Sequence, residues 1–197
     1  MSIVIIKYNA GNVYSVQCAL ARIGADAIIT DNADIIRNAD KVIFPGVGEA
    51  GAAMHHLRQT GLDKIITSLQ KPTLGICIGQ QLMCSHSEEG NTECLGIFPD
   101  KVIRFQQPDN TFKIPHTGWN TVQITAEKGI IPQEMNDAWV YYVHSYYVPV
   151  GSHTTAVTNY ISPFSAAMKR NNFYATQFHP EKSGDAGSRI LKHFLDL

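Results

Sequence analysis

Apolar residues over the first ninety positions recur in two alternating rhythms. Four short runs, 2–8 (SIVIIKY), 25–30 (ADAIIT), 41–46 (KVIFPG) and 71–77 (KPTLGIC), have the length and β-branched content of buried strands. Between the first two, a turn at Ala10-Gly11-Asn12 leads into Val13, Val16, Ala19, Leu20 and Ile23 at helical spacing, and Gly24 ends the pattern. Positions 32–40 predict a short helix, and further helices are expected to start after the glycine-rich loop that follows Phe44 and directly after Cys77. This β-α-β-α order predicts a mostly parallel central sheet with helices on both faces. Beyond Gly90 the pattern changes. The segments 101–105, 120–126, 138–150, 154–160, 164–171 and 173–180 are short, rich in aromatic and β-branched residues and separated by turn formers, which predicts additional, partly antiparallel strands. Positions 183–197 predict a closing helix, and no repeat, low-complexity tract or linker interrupts the chain.

Composition narrows the possibilities. With 197 residues, 44% of them hydrophobic, the chain suits one domain, 1–197, with a sizeable core. Sixteen Lys and Arg against 17 Asp and Glu give a net charge of −1, with no basic run, so neither nucleic acid nor an anionic membrane is an expected partner. No stretch of about 18 apolar residues occurs, and the apolar start is too short for a secretory signal, so a cytosolic location is expected. Cys18, Cys77, Cys84 and Cys94 form no C-x-x-C pair and no zinc spacing. That argues against a disulfide framework and a structural metal, and leaves at least one thiol free to react.

Three motifs carry candidate chemistry. Gly75-Ile76-Cys77-Ile78-Gly79 is G-x-C-x-G at a predicted strand-to-helix turn, the thiol form of a nucleophile elbow, where crowding excludes side chains beside an exposed nucleophile. A thiol of reference pKa roughly 8.5 needs a base. In the stretch QFHPEKSG, His179 and Glu181 flank Pro180, and an extended backbone puts imidazole and carboxylate on one face, where the carboxylate fixes the tautomer. His55, His56 and His86 lack such a neighbour, and His116 and His153, in turn-like contexts, read as surface or core residues. The third motif, 44–51 (FPGVGEAG), offers uncovered backbone N–H groups ahead of a helix start, suited to an oxyanion, and lacks the signatures of a P-loop or a dinucleotide fold.

Together these motifs resemble the class I glutamine amidotransferases of the Cys-His-Glu type. The stretches YNAGNVYSV, FPGVGEAGAAM, LGICIGQQLM, SEEG, PHTGWN, YYVHSYY and QFHPEKSG, in that order, resemble the glutaminase subunits of imidazole glycerol phosphate synthase over essentially the whole chain. The resemblance implies a flavodoxin-like α/β domain in which Cys77 attacks the carboxamide of glutamine, His179 is the base and Glu181 holds it. It further implies an oxyanion site at Gly46-Val47 and Ile78, glutamine contacts at Gln81 and Glu89, and a clamp at Ser145 and Tyr146. No cofactor is implied. The implied partner is a (β/α)₈-barrel cyclase subunit, met near Asn12, Trp119, Asn120, Tyr141 and Lys182, with weak hydrolysis until that partner acts. Lys7, Gln80 and Thr117 depart from the family pattern, where Asp, Met and Met are usual. They leave room for a paralogue with another acceptor, and the triad alone would also fit another triad amidotransferase, a γ-glutamyl hydrolase or a binding module that has lost the chemistry.

Overall fold

The computed structural model describes residues 1–9, 12–107 and 111–197, so the first two residues of the turn expected at Ala10-Gly11-Asn12 lie outside the described residues. In chain order the first half comprises β1 (Ile3–Ile6), α1 (Val13–Arg22), β2 (Ile28–Thr30), α2 (Ala33–Asn38), β3 (Lys41–Gly46), α3 (Ala50–Thr60), α4 (Leu62–Thr67), β4 (Thr73–Cys77) and α5 (Ile78–Met83). The second half comprises β5 (His86–Ser87), β6 (Thr92–Glu93), β7 (Lys101–Arg104), β8 (His116–Thr121), β9 (Gln123–Ile124), β10 (Trp139–His144), β11 (Tyr146–Tyr147), β12 (Thr154–Asn159), β13 (Pro163–Arg170), β14 (Phe173–Thr176) and α6 (Gly184–Asp196).

An eight-stranded sheet runs in the order β2-β1-β3-β4-β14-β13-β12-β9. The first five strands are parallel, and β13, β12 and β9 continue antiparallel. The period of two decides which residue goes to which face. On β1, Val4 and Ile6 join Phe44, Met54, Leu57, Ile66 and Leu82 beneath α2 to α5, whereas Ile3 and Ile5 join Leu20, Ile43, Ile76, Ile190 and Phe194 beneath α1 and α6. Helix starts follow local chemistry: the Asn32 carboxamide accepts from the N–H groups of Asp34 and Ile35, and the Glu49 carboxylate accepts from those of Gly51 and Ala52. Gly61, at φ 73°, separates α3 from α4.

Two of the expected strands are divided, and tertiary pairing is the reason. The run 120–126 breaks at Val122: β8, which begins at His116, pairs with β10, and β9 crosses to the edge of the main sheet. His116 therefore lies buried on a strand, not in a turn. The run 138–150 breaks at Ser145, because His144 pairs with His116 on β8 and Tyr146 pairs with Arg104 on β7. This change of partner occurs where the chain meets the site described next. The short strands β5 and β6, which join β7 and β11 in a four-stranded sheet, have no counterpart in the sequence pattern.

Candidate active site

The carboxyl ends of the parallel strands β3, β4 and β14 meet at one point, where ligand crevices of open α/β sheets form. Cys77 ends β4 and precedes α5 with φ 54° and ψ −108°, a conformation L-residues rarely adopt, held here by the strand on one side and the helix on the other. The elbow glycines are there for close approach. A Cβ on Gly79 would lie 2.0 Å from the Phe44 carbonyl oxygen, and one on Gly46 would lie 2.1 Å from both the Ile78 Cγ2 and the Tyr8 hydroxyl. β3 and α5 can therefore pack backbone to backbone only with glycine at 79, and Gly46 leaves the room taken by the side chains of Ile78 and Tyr8.

Downstream of β14, Gln177, Phe178 and His179 are fully buried or nearly so, and His179 is extended at φ −99° and ψ 96°. The expectation of a fully extended His-Pro-Glu segment needs correction, since Pro180–Lys182 forms a 3₁₀ turn. Proline's fixed φ suits the first position of such a turn. The turn still carries Glu181 Oε1 to within 2.7 Å of His179 Nδ1, with both side chains sealed from solvent. Asn12 Nδ2 donates to the same carboxylate oxygen, and Arg22 donates to the Glu181 backbone carbonyl at 3.3 Å. Ser183 ties the turn to β10: its hydroxyl donates to the His179 carbonyl at 2.7 Å and accepts from the Tyr141 N–H at 3.0 Å.

Burial alone would strip the proton from His179. Burial is the largest single effect, but the charge and close approach of Cys77, together with the hydrogen bond and charge of Glu181, jointly outweigh it, and the imidazole is held up at about 10. Nε2 makes no hydrogen bond of ordinary geometry among the described residues, and Cys77 acts on the ring through both its charge and the close approach of its sulfur. The expected result is that His179 stays protonated at pH 8, read from imidazole ¹⁵N shifts. In Cys77→Ala, which removes the leading favourable charge and leaves burial in place, the titration midpoint moves downward. A midpoint that does not move would break the proposed Cys77–His179 coupling. The other buried thiols are poor nucleophiles: burial pushes Cys84 well above the usual thiol range and Cys94 up to about 12.

A cavity of about 410 Å³ opens in front of Cys77, lined by Val47, Gly48, Ile78, Gln81, Glu89, Pro115 and the segment Val143–Tyr146. The expected glutamine-contacting positions Val47, Ile78, Gln81, Glu89, Ser145 and Tyr146 all line this cavity, and Gly46 sits just behind it. Gln81 donates to the Tyr146 carbonyl at 2.9 Å and to Gln177 Oε1 at 3.0 Å. Both of its amide hydrogens are thereby used, so its own Oε1 is what it offers a ligand. Glu89 accepts from the Ala50 N–H at 2.9 Å, and burial raises its carboxyl against the lowering effect of that bond.

The five positions expected at a partner surface divide into two groups. Trp119 and Tyr141 are cross-strand partners on β8 and β10, their rings 6.0 Å apart, with Trp119 52% exposed, and Lys182 is exposed on the 3₁₀ turn next to Ser183, which accepts from the Tyr141 N–H. The amide of Asn12 is instead committed inward, to Glu181, and that of Asn120 to the Asn159 carbonyl on β12. Gln177 escaped the sequence reading. Its Nε2 lies 3.8 Å from Cys77 Sγ, and its place two residues before His179, at the end of the run 173–180, could have found it. His144, which lines the cavity, and His116 behind it meet there, also without an assigned role. His153 bonds to Asp100 at 3.1 Å, and His86 to Asn91 at 3.0 Å. Among the described residues no group of three or more His, Cys, Asp or Glu could hold a metal ion, and no helix is long and apolar enough to cross a membrane.

Comparison with known proteins places this geometry. A family model described as glutamine amidotransferase class-I matches residues 4–197. The imidazole glycerol phosphate synthase subunits HisH of Bacteroides fragilis (strain YCH46) and Bacteroides thetaiotaomicron are each 55% identical over 197 residues, covering 100% of both chains. That of Pasteurella multocida is 45% identical over 195 residues, 99% of this chain and 98% of its own. Among solved structures, a glutamine amidotransferase superposes with TM-score 0.76 at 16% identity, covering 100% of this chain and 98% of that one. PurLQS from Thermotoga maritima gives 0.73 at 12%, covering 99% and 97%; these two share the fold. The full-length identities and the matching family model lead to one conclusion: the chain belongs to the class-I glutamine amidotransferases and, within them, to the family of imidazole glycerol phosphate synthase subunit HisH.

Proposed function

We propose that this chain, as one amidotransferase domain over residues 1–197, is the cytosolic glutaminase subunit of an imidazole glycerol phosphate synthase. The observation that carries the reading is the elbow cysteine facing a buried His179–Glu181 pair at the mouth of an amino-acid-sized cavity. Sulfur attacks the side-chain carbonyl carbon of glutamine, and the oxygen's developing charge is met by the N–H groups of Val47 and Ile78. His179, protonated at rest, gives its proton to the departing nitrogen, so ammonia leaves and a γ-glutamyl thioester remains. Water then loses a proton to His179 as it attacks the thioester, releasing glutamate and restoring the thiolate. Gln81, Glu89 and the Ser145–Tyr146 backbone hold the amino-acid end of the substrate. Glu181 keeps the imidazole in one tautomer, with Asn12 orienting the carboxylate.

Ammonia would pass to a (β/α)₈-barrel cyclase docked on the Trp119 and Tyr141 face, with Lys182 at its rim and Asn120 bracing the strand pair from the opposite face. There it would react with a phosphoribosyl-formimino precursor to give imidazole glycerol phosphate and an aminoimidazole carboxamide ribotide. Exposed aromatic side chains of this kind are apt anchors for a protein partner. The test is glutamate release from glutamine by the chain alone and with a histidine-pathway cyclase plus its nucleotide ligand. Stimulation on the order of 100-fold, the scale of one oxyanion donor brought into line, is the expected result. Turnover that ignores the cyclase would overturn the assignment of partner and leave the glutaminase chemistry standing.

A further inference from the structure

In the cavity wall and directly behind it, two imidazoles that the mechanism above does not use are hydrogen bonded to each other: His144 lines the cavity and His116 lies beneath it. His116 on β8 and His144 on β10 are ladder partners, and His116 Nδ1 lies 3.0 Å from His144 Nε2. A bond between two imidazoles requires one ring to donate and the other to accept, and here the neighbours at each end decide which.

At the inner end, His144 Nδ1 lies 2.8 Å from the Tyr146 backbone carbonyl, which can only accept, so His144 carries a proton on Nδ1. At the outer end, Asn120 has its orientation set by backbone: Oδ1 accepts from the Thr121 N–H at 2.8 Å, and Nδ2 donates to the Asn159 carbonyl at 3.0 Å. Its Nδ2 therefore faces His116 Nε2, at 3.4 Å, and that nitrogen must accept. His116 then carries its proton on Nδ1 and donates to His144. The assignments made from the two ends agree, and a second proton on either ring meets a donor already in place or removes the acceptor its neighbour needs. The surroundings favour the same state. His116 is stacked between the rings of Tyr142 and Tyr160, at 4.8 and 4.0 Å, and His144 packs against Phe105 and Phe164 at 5.3 and 5.0 Å. Burial lowers His116 to about 4 and His144 to about 3.

We propose that Asn120, His116 and His144 form a one-directional row of donors, both rings neutral with the proton on Nδ1, that positions the Ser145–Tyr146 strap of the substrate cavity. The strap needs such support because it falls where β10 gives way to β11 and the chain leaves one ladder for another. The row supplies one of two donors that saturate the Tyr146 carbonyl, Gln81 being the other, and the Ser145 carbonyl accepts from the Phe105 N–H at 3.0 Å. With both carbonyls engaged, the strap keeps a single orientation toward the cavity. Its outer end, Asn120, is the chain neighbour of exposed Trp119 and shares with His116 the opposite face of β8, so the row runs along that face to the cavity wall. His116 and His144 are positioning residues, and neither is placed at the reacting atoms.

The kinetic part of the test rests on the glutaminase reading, and the spectroscopic part does not. Long-range ¹H–¹⁵N spectra of the wild-type chain are expected to show His116 and His144 as neutral Nδ1–H tautomers from pH 6 to pH 8. An Nε2–H tautomer or an imidazolium at either residue in that range would overturn the row. In the complex with the cyclase, His144→Phe keeps ring volume and removes the donor, and it should raise KM for glutamine by about 5- to 100-fold with kcat changed far less. His144→Asn, whose amide nitrogen can stand where Nδ1 stood, should return KM to within about threefold of wild type. Equal KM values for the two variants would contradict positioning through the Tyr146 carbonyl. If His144→Phe does not fold, the wild-type tautomer spectrum decides alone. A wild-type complex without glutaminase activity would sink the functional reading while leaving that spectrum as the test of the row.

Discussion

Cys77→Ala is expected to lose glutaminase activity by about 10⁴-fold or more in the cyclase complex, measured as glutamate release, the scale seen when a nucleophile is removed from a catalytic set that works as a unit. No other thiol can take its place. Cys18 is exposed on α1, away from the cavity, and Cys84 and Cys94 are held in their neutral forms by burial. The loss should come without loss of fold, because alanine keeps the Cβ and the same backbone. Cys77→Gly separates chemistry from stability further. The residue sits at φ 54° and ψ −108°, strain worth roughly 1–3 kcal/mol for a side-chain-bearing residue, against a glycine cost of about 0.4–1 kcal/mol in the unfolded chain. The glycine variant should therefore be inactive yet melt at a higher temperature than wild type. Residual activity near the wild-type rate in either variant would remove Cys77 from the mechanism.

Gly79→Ala is expected to produce the largest loss of stability from a single methyl group. Its Cβ would stand 2.0 Å from the Phe44 carbonyl oxygen, and the obstacle is backbone, which cannot turn aside as a side chain could. Gly75 packs against Gly79 from the other side, so α5 has no room to retreat toward β4. Relief requires β3 and α5 to separate, which disrupts the packing of Phe44, Ile78 and Leu82. Overpacking of this kind costs about 3 kcal/mol or more, and for a chain of this size that lowers the melting temperature by roughly 6–12 °C. Because α5 carries Ile78 and Gln81 into the cavity, whatever folded protein remains should also hydrolyse glutamine poorly. A melting temperature within a degree or two of wild type would mean that the elbow is looser than its packing indicates.

The alternation of buried runs and helical patterns was legible in the first half because parallel strands covered on both faces are apolar throughout, and Lys41–Gly46 occurs at the positions the pattern predicts. The nucleophile motif was legible for a similar reason, since G-x-C-x-G and H-P-E each put their constraint into neighbouring residues. The breaks at Val122 and Ser145 were not, because they depend on which distant strand each segment pairs with, and β-propensity is silent on partners. The same holds for the contacts made by Asn12, Gln177, His116 and His144. Each joins residues far apart in the chain, and nothing local marks a histidine whose partner is a second histidine on another strand. The 3₁₀ turn at Pro180–Lys182 was hidden differently: an extended segment and a turn both bring the carboxylate to the imidazole, so the pairing was readable and its backbone was not.

The central claim is that Cys77 carries the γ-glutamyl group between the departure of ammonia and the arrival of water. The most direct measurement is acid quenching of the cyclase complex during turnover of isotopically labelled glutamine, followed by proteolysis and mass spectrometry of the cysteine-containing peptides. The account predicts the labelled glutamyl increment on the peptide containing Cys77, and its disappearance in Cys77→Ala. Full-rate glutamate release with that peptide unmodified, or the increment on the peptide of Cys18, Cys84 or Cys94, would contradict it.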